Sequence, residues 1–315
     1  MIDVLVVDDA PEQRDLLRAL LVEDGHTVDV AVDGSDALVR VRAAPPQVVV
    51  MDVDMPVLDG VAACRALKGD AGTRFIPVIM VTGLGDRAAR RRCRQAGCDD
   101  FLAKPIDPPE LSARVAAALR LKSAIDQLEE AENVLFSLAR ALEAKDPYTA
   151  GHSERVSALA QKLGQVSGVP ADQLVHLGRA ALLHDLGKIG TPQELLCKPG
   201  RLTPEEHAVV RLHPVVGEAI CRPLRVLAPT LAMIRGHHER LDGSGYPDAL
   251  TADRIPVALR CLTLADIYDA LTSNRPYRPS LASAAALEVM REEAEAGAWD
   301  RDLVEALAAV VTAGS

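Results

Sequence analysis

In the first 120 residues, the pattern of hydrophobic and polar positions alternates between that of a buried strand and that of a helix. Short apolar runs that suit buried strands occur five times, and helical spacing of apolar residues follows each run. The predicted strands are residues 2–7, 27–32, 48–51, 77–81 and 100–103. The predicted helices are residues 11–24, 35–42, 61–67, 87–96 and 108–119. This alternation predicts an α/β domain over residues 1–120, a doubly wound, five-stranded parallel sheet with helices on both faces.

A long helical segment follows this domain. Residues 110–146 contain neither Gly nor Pro, so we expect the last helix to continue without a break. A spacing of four and three residues runs through Leu121, Ile125, Leu128, Glu132, Leu135, Ala139 and Leu142. Such a heptad seam predicts a connector over residues 121–145 that forms a homodimer by pairing with a second copy. The alternative is a single amphipathic helix that packs on the second domain.

The remainder of the chain shows helical periodicity and few strand patterns. Apolar residues recur at Val156, Leu159, Ala160 and Leu163, and turn signals separate segments of this kind. We therefore expect residues 146–315 to form an all-α domain. The predicted fold class is α/β plus all-α, with a long helix between the two domains.

Composition and charge narrow the class of protein. The 315 residues are 49% hydrophobic and 25% charged, which is ordinary for a globular protein. The net charge is −10 and both halves are acidic, which argues against a nucleic-acid polymer as partner. No apolar run approaches the ~18–20 residues that span a bilayer, so no membrane insertion is expected. The acidic start and the six cysteines without a C-x-x-C pair favour a cytoplasmic location.

Polar residues collect where the predicted strands end. They are Asp8, Asp9, Asp52, Thr82 and Lys104. The carboxyl ends of parallel strands share one crevice, and three carboxylates there would repel one another without a divalent cation. Mg²⁺ prefers such oxygen ligands, and the Lys and Thr side chains could bind phosphoryl oxygens. The alternative reading places the acids in solvated turns.

The sequence segments around these residues resemble those of a known family. VVDD at 6–9, MDVDMPVLDG at 51–60, VTG at 81–83 and FLAKPID at 101–107 resemble a response-regulator receiver domain. The resemblance implies that Asp52 accepts a phosphoryl group from a cognate sensor histidine kinase. It also implies that Asp8 and Asp9 hold Mg²⁺ together with Asp52. Thr82 and Lys104 would then bind the phosphoryl oxygens, and Phe101 would be the switch aromatic.

Histidines are concentrated in the second half. Seven of the eight lie between residues 152 and 238. The candidate metal ligands are His152, His184, Asp185, His213, His237, His238 and Asp266. Adjacent helical residues do not share a face, so a His–Asp or His–His doublet suits two metal ions roughly 3.5–4 Å apart.

Three strings in this half are similar to the HD-GYP branch of metal-dependent phosphohydrolases. They are HDLGK at 184–188, HHERLDGSGYP at 237–247 and ADIYDALTSNRPYR at 265–278. The resemblance implies hydrolysis of cyclic di-GMP to the linear dinucleotide, with further conversion to GMP left open. It implies one metal ion on His152, His184, Asp185 and Asp266. It implies a second ion on Asp185, His213, His237 and His238.

The same resemblance suggests roles for residues around the ions. The nucleophile would be a water activated by both metals, with Asp185 and Lys188 as catalytic residues. Candidate substrate contacts are Lys188, Gly243, Gly245, Tyr246, Pro247, Asp269, Arg275 and Arg278. Tyr148 stands where some relatives carry a third-metal glutamate, so we expect two ions. The mixed ligand set suits Fe, Mn or Zn.

Two further hypotheses remain open. In the first, the chain is a phospho-regulated module that binds a cyclic dinucleotide, or docks proteins through its Gly-Tyr-Pro loop, with little turnover. In the second, it hydrolyses another cyclic dinucleotide.

Overall fold

A computed structural model describes residues 2–83, 87–144, 151–198, 200–274 and 279–313. The chain divides into two compact units, Met1–Glu130 and Ala131–Ser315. Over these described ranges, no helix is both long enough and apolar enough to cross a membrane. The two units divide after Glu130, inside the helix Pro108–Glu143. The predicted limits of the two domains and of the connector therefore stay a prediction.

The first unit is the predicted parallel sheet with its helices. Its strands are β1 Val4–Val7, β2 Val28–Ala31, β3 Val48–Asp52, β4 Val78–Gly83 and β5 Asp100–Lys104. Its helices are α1 Pro11–Glu23, α2 Gly34–Ala43, α3 Gly60–Gly69, α4 Arg87–Ala96 and the start of α5 Pro108–Glu143. All neighbouring strands pair in parallel in the order β2-β1-β3-β4-β5. The predicted α/β fold is therefore confirmed.

The sheet is buried on both faces because successive residues of a strand point to opposite sides. Val4 and Val6 belong to an apolar cluster with residues of α1 and α5. Leu5 and Val7 belong to another cluster, with residues of α2, α3 and α4. Burial on both sides explains why the strands appear in the sequence as continuous Val-rich runs rather than as an alternating pattern.

Helix α5 is continuous over Pro108–Glu143, as the absence of Gly and Pro predicts. Its later part packs within the second unit. Ala139 is buried in the core of that unit, and Leu135 packs against it. Glu132 is buried, and its Oε2 atom lies 3.0 Å from the guanidinium of Arg179. These three positions of the predicted seam therefore pack within the chain, as the alternative of a helix packed on its own domain predicts, and pairing with a second copy stays a prediction.

The described part of the second unit is helical, as predicted. After α5 come α6 His152–Val166, α7 Ala171–Leu183, α8 Gln193–Leu196, α9 Pro204–Val210, α10 His213–Cys221, α11 Leu231–Gly236, α12 Val257–Thr272, α13 Ser283–Glu295 and α14 Arg301–Ala313. Short 3₁₀ helices occur at Leu186–Gly190, Arg225–Thr230 and Ala252–Arg254. Helices α6, α7 and α12 supply much of the core, for example Val156, Leu177 and Leu262.

Candidate functional site

The predicted phosphoacceptor group lies at the carboxyl edge of the sheet. Asp52 ends β3, and the carboxylates of Asp8, Asp9 and Asp52 offer oxygens within 4.8 Å of one another. The Nζ atom of Lys104 lies 2.9 Å from Oδ1 of Asp52 and 3.5 Å from Oδ2 of Asp8. Burial raises the pKa of Asp52, and the nearby ammonium of Lys104 opposes that rise. Three carboxylates with one ammonium form an arrangement that could hold a hard divalent cation.

Two further receiver residues occupy the adjacent strands. Thr82 in β4 follows Val81, the register partner of Asp52, and its buried Oγ1 atom has no hydrogen-bond partner among the described residues. Phe101 in β5 is half-buried, and the guanidinium of Arg94 lies over its ring, 5.8 Å from the centroid.

The histidines and aspartates of the second unit converge from the ends of several helices. His152 begins α6, His184 and Asp185 follow α7, and His213 begins α10. His237 and His238 follow α11, and Asp266 lies within α12. Two groups without a common member offer ligand atoms within 4.8 Å of one another, and a third group, His184, Asp185 and His237, overlaps both. Of the two groups without a common member, one is His152, His184 and Asp266, and the other is His213, His237 and His238.

Asp185 lies between these two groups. Its Oδ2 atom is 3.4 Å from Nε2 of His184, and its Oδ1 atom is 3.3 Å from Nε2 of His213. The Nζ atom of Lys188 donates to Oδ2 of Asp185 at 2.5 Å. Although burial opposes it, the charge of Lys188 holds the pKa of Asp185 well below its usual range. An ionised carboxylate with one oxygen toward each group could bridge two metal ions.

The ring orientations leave one nitrogen of each of three histidines directed at this centre. The Nδ1 atoms of His184, His213 and His237 donate, at 2.7–2.8 Å, to the carbonyl oxygens of Ala181, Val210 and Ile234 respectively. Each accepting carbonyl is three residues earlier in the chain. A donor on Nδ1 leaves the Nε2 lone pair of a neutral imidazole available for a metal ion.

Two of these lone pairs face each other. The Nε2 atoms of His213 and His237 are 3.2 Å apart, although both rings already use Nδ1 as the donor. Burial lowers the pKa of both histidines and favours their neutral forms. The buried Nε2 atom of His184 has no hydrogen-bond partner among the described residues. A cation bound between these nitrogens would provide a partner for their lone pairs.

The two groups differ in charge. Burial lowers the pKa of His238 to about 4, so the group with three histidines is neutral. Burial also acts to lower the pKa of His152, but the carboxylates of Asp266 and Asp269 outweigh it and raise that pKa to about 10. Nε2 of His152 lies 3.2 Å from Oδ1 of Asp266. One group is therefore a mixed imidazole–carboxylate site, and the other consists of imidazoles.

Comparison with known protein families finds a match in each of the two units. The family described as response regulator receiver domain matches residues 4–116, and the family described as HD domain matches residues 137–303. The cyclic di-GMP phosphodiesterase response regulator RpfG of Xanthomonas campestris pv. campestris is 34% identical over 310 residues. These cover 91% of this chain and 82% of the relative. The chain belongs to the HD-domain response regulators.

Two relatives from Vibrio cholerae add detail. A probable cyclic di-GMP phosphodiesterase is 32% identical over 314 residues, which cover 87% of this HD-domain response regulator and 70% of the relative. A 3'3'-cGAMP-specific phosphodiesterase is 39% identical over 161 residues, which cover 51% of this chain and 35% of the relative.

The Gly-Tyr-Pro loop of this HD-domain response regulator folds back onto the histidine doublet. The ring of Tyr246 stacks on the ring of His238 with centroids 4.8 Å apart, and the Tyr246 amide donates to the His238 carbonyl. Gly243 has a φ of +77°, and a Cβ at Gly245 would overlap the backbone of Glu239 and Arg240. Both positions therefore require glycine.

Three residues that support this geometry were not predicted from the sequence. Glu239 is buried and accepts from the amides of Asp248 and Leu250, so it anchors the loop after Pro247. A Cβ at Gly187 would overlap the carbonyl oxygen of His213, so this glycine allows α10 to approach the His–Asp doublet. The exposed guanidinium of Arg211 lies over the Tyr246 ring, 4.9 Å from its centroid. Glu239 and Gly187 lie within the motifs HHER and HDLGK. Their position beside the predicted ligands was the signal that could have identified them.

The remaining predicted substrate contacts fall in two classes. The carboxylate of Asp269 is buried and contacts His152 and Arg155. Arg275 and Arg278 lie outside the described residues, as does Tyr148.

Proposed function

We propose that this response regulator is a phosphodiesterase that hydrolyses cyclic di-GMP at a centre of two divalent metal ions, under the control of phosphorylation at Asp52. The observation that carries the proposal is the position of Asp185, with one carboxylate oxygen toward each of two ligand groups. The two relatives named as cyclic di-GMP phosphodiesterases resemble this chain over 91% and 87% of its length, which supports the substrate.

The residues present fit two ions. The facing Nε2 atoms of His213 and His237 and the unpartnered Nε2 of His184 are the lone pairs that such ions would use. The first ion would be held by His152, His184, Asp185 and Asp266. The second ion would be held by Asp185, His213, His237 and His238. Imidazole together with carboxylate suits Fe, Mn or Zn, and the number of ions expected is two.

In hydrolysis at this centre, the metal ions and the protein side chains would have different roles. Two bound divalent ions would supply an activated water and neutralise charge on the phosphoryl oxygens. The chain supplies fixed ligand directions, since backbone carbonyls orient three of the five rings. Lys188, which contacts Asp185, would place a further positive charge beside the oxygens of the reacting phosphate. Water would form a new bond to phosphorus as the bond to the departing 3′ oxygen breaks. The proton lost by the water would pass to that oxygen, which yields the linear dinucleotide.

The rim of the centre would bind the rest of the substrate. Tyr246 contacts both the His238 ring and the guanidinium of Arg211, so the loop of Gly243, Gly245, Tyr246 and Pro247 is fixed beside the ligands. We expect an aromatic ring and a cation at this edge to favour a nucleotide, whose bases stack and whose phosphates are anionic. The same loop is where protein partners would dock.

A second substrate has one observation in its favour. The relative named as a 3'3'-cGAMP-specific phosphodiesterase is 39% identical over about half of this chain. Another cyclic dinucleotide is therefore the second candidate, and both compounds belong in the same assay.

The receiver unit would supply control. Asp52, beside Lys104 and among Asp8 and Asp9, is the proposed acceptor of a phosphoryl group from a cognate sensor histidine kinase, with Mg²⁺ on the three carboxylates. The phosphoryl group adds negative charge and acceptor oxygens. The Thr82 hydroxyl, which has no hydrogen-bond partner in the described part of the chain, would donate to it, and Phe101 is the proposed switch aromatic.

Pairing with a second copy would use the early part of the connector. Leu121 and Leu128 are 52% and 50% exposed on α5, whereas Glu132 and Ala139 are buried within the second unit. A homodimer seam is therefore proposed over residues 121–128.

The experiment that tests the proposed function is an anaerobic product analysis. The full chain, loaded in turn with Fe²⁺, Mn²⁺ or Zn²⁺, is incubated with cyclic di-GMP or 3'3'-cGAMP, and the products are separated by chromatography. We expect the linear dinucleotide from cyclic di-GMP with at least one metal, and the appearance of GMP decides how far the reaction goes. A chain that binds the metals and cleaves neither compound contradicts the proposal.

A further inference from the structure

One histidine of the metal centre is oriented differently from three of the others. His184, His213 and His237 donate from Nδ1 to backbone carbonyls, which no side-chain substitution can remove. His152 is the first residue of α6, and its Nδ1 atom lies 2.7 Å from Oδ2 of Asp269. The direction of this one ring therefore depends on another side chain.

The contact is part of a two-by-two arrangement between helices α6 and α12. His152 and Arg155 are three residues apart on α6, and Asp266 and Asp269 are three residues apart on α12. Side chains with this spacing lie on one face of a helix. Nε2 of His152 faces Asp266 at 3.2 Å, while its Nδ1 faces Asp269. The two nitrogens of one ring thus contact the two carboxylates of the other helix.

Asp269 is in turn held by an arginine. Nε of Arg155 donates to Oδ1 of Asp269 at 2.6 Å, and a terminal nitrogen donates to Oδ2 at 3.0 Å. Such a bidentate pair fixes the plane of the carboxylate as well as its position. Both oxygens of Asp269 are engaged, and the residue is 7% exposed. These contacts favour a role inside the protein over the contact with substrate predicted from the sequence.

We propose that Asp269 and Arg155 are positioning residues that hold the His152 ring with its Nε2 atom toward the first metal position. The inference rests on the proposed two-metal function and adds an asymmetry to it. The position formed by His152, His184 and Asp266 depends on the Arg155–Asp269 pair. The position formed by His213, His237 and His238 does not, because His213 and His237 are oriented by the backbone.

The test is a metal titration of the full chain with Mn²⁺ and then Zn²⁺, in competition with a chromophoric chelator. The variant is Asp269→Ala, and the matched control is Asp300→Ala, which removes an aspartate of the same unit that pairs with Arg260. We expect wild type and control to bind two ions. We expect the Asp269→Ala variant to bind one ion as before and the other about 10–100-fold more weakly, the usual effect of losing a carboxylate that orients a histidine ligand.

Two results overturn the inference. One is an unchanged affinity for both ions in Asp269→Ala. The other is an equal loss at both positions, which indicates a general disturbance of the unit. If Asp269→Ala does not fold by circular dichroism, Arg155→Gln decides, since it leaves the carboxylate in place and removes its anchor. A wild-type chain that binds fewer than two ions contradicts the proposed function itself, so the two failures are distinguishable.

Discussion

The Oδ1 atom of Asp185 lies 3.3 Å from the Nε2 atom of His213, although 28 positions of sequence separate the two residues. The contact joins Asp185, two residues after the end of α7, to the first residue of α10. It places one oxygen of a buried carboxylate at the histidine-only group while the other oxygen faces His184. This relationship makes a shared, two-ion centre the simplest account of the seven predicted ligands.

The approach of α10 to Asp185 depends on a residue without a side chain. A Cβ at Gly187 would overlap the carbonyl oxygen of His213. We expect Gly187→Ala to lower the free energy of unfolding by about 1–3 kcal/mol, typical of overpacking, and to weaken metal binding. The measurement is urea unfolding together with metal content. Gly190→Ala is the control, because the nearest atom to its Cβ would be 3.5 Å away. Equal behaviour of the two variants would count against this role of Gly187.

Metal removal is expected to destabilise the second unit. The facing Nε2 atoms of His213 and His237 would lose the cation that satisfies them. A ligand present at about 1,000 times its dissociation constant contributes about 4 kcal/mol to folding stability. Dialysis against a chelator should therefore lower the melting temperature, and Mn²⁺ or Zn²⁺ should restore it. An unchanged melting curve after verified removal of the metal would contradict the two-ion arrangement.

The receiver prediction concerns one carboxylate. We expect Asp52→Asn to abolish the gain of one phosphoryl group that acetyl phosphate and Mg²⁺ produce in the wild-type chain. The reason is that Asp52 is the carboxylate that lies beside Lys104 at 2.9 Å and among the acids that could hold Mg²⁺. Intact-mass spectrometry measures the modification. Asp54→Asn is the matched control, since Asp54 is exposed two residues away. Phosphorylation that persists in Asp52→Asn would place the acceptor elsewhere.

Dimerisation is expected to depend on the exposed part of the connector. Leu121→Glu combined with Leu128→Glu places like charges in the proposed seam, so the full chain should sediment as a monomer while the wild type sediments as a dimer. Val175→Glu, at an apolar residue of α7 that is 53% exposed, controls for added surface charge. A wild-type monomer at all concentrations, or a double variant that remains dimeric, would exclude this seam.

The connector also shows where sequence patterns stop being sufficient. The spacing of Leu128, Glu132, Leu135 and Ala139 is the same for a helix that pairs with a second copy and for a helix that packs on its own domain. The structure selects the second for the later part, because Glu132 pairs with Arg179 and Ala139 enters the core. That choice depends on a tertiary partner in α7, which the local pattern does not contain.

The parallel sheet could be predicted more fully than the connector because the sequence patterns that indicate its strands are local. The Val-rich runs at β1 and β3 are continuous where both faces are buried, and the polar residues that follow each strand mark the carboxyl edge. The candidate metal ligands were predicted from the sequence motifs around them. Their orientation was not, since the carbonyls that hold three rings and the Asp269 contact that holds His152 come from the packing of helices.

The central claim is that a carboxylate shared by two ligand groups makes this chain a cyclic di-GMP phosphodiesterase. The most direct measurement compares the rate of cyclic di-GMP cleavage by the metal-loaded wild type and by Asp185→Asn, whose amide keeps the shape of the side chain and removes its charge. The account predicts formation of the linear dinucleotide by the wild type and only the background of the metal-free protein for the variant. Equal rates for the two proteins would contradict it.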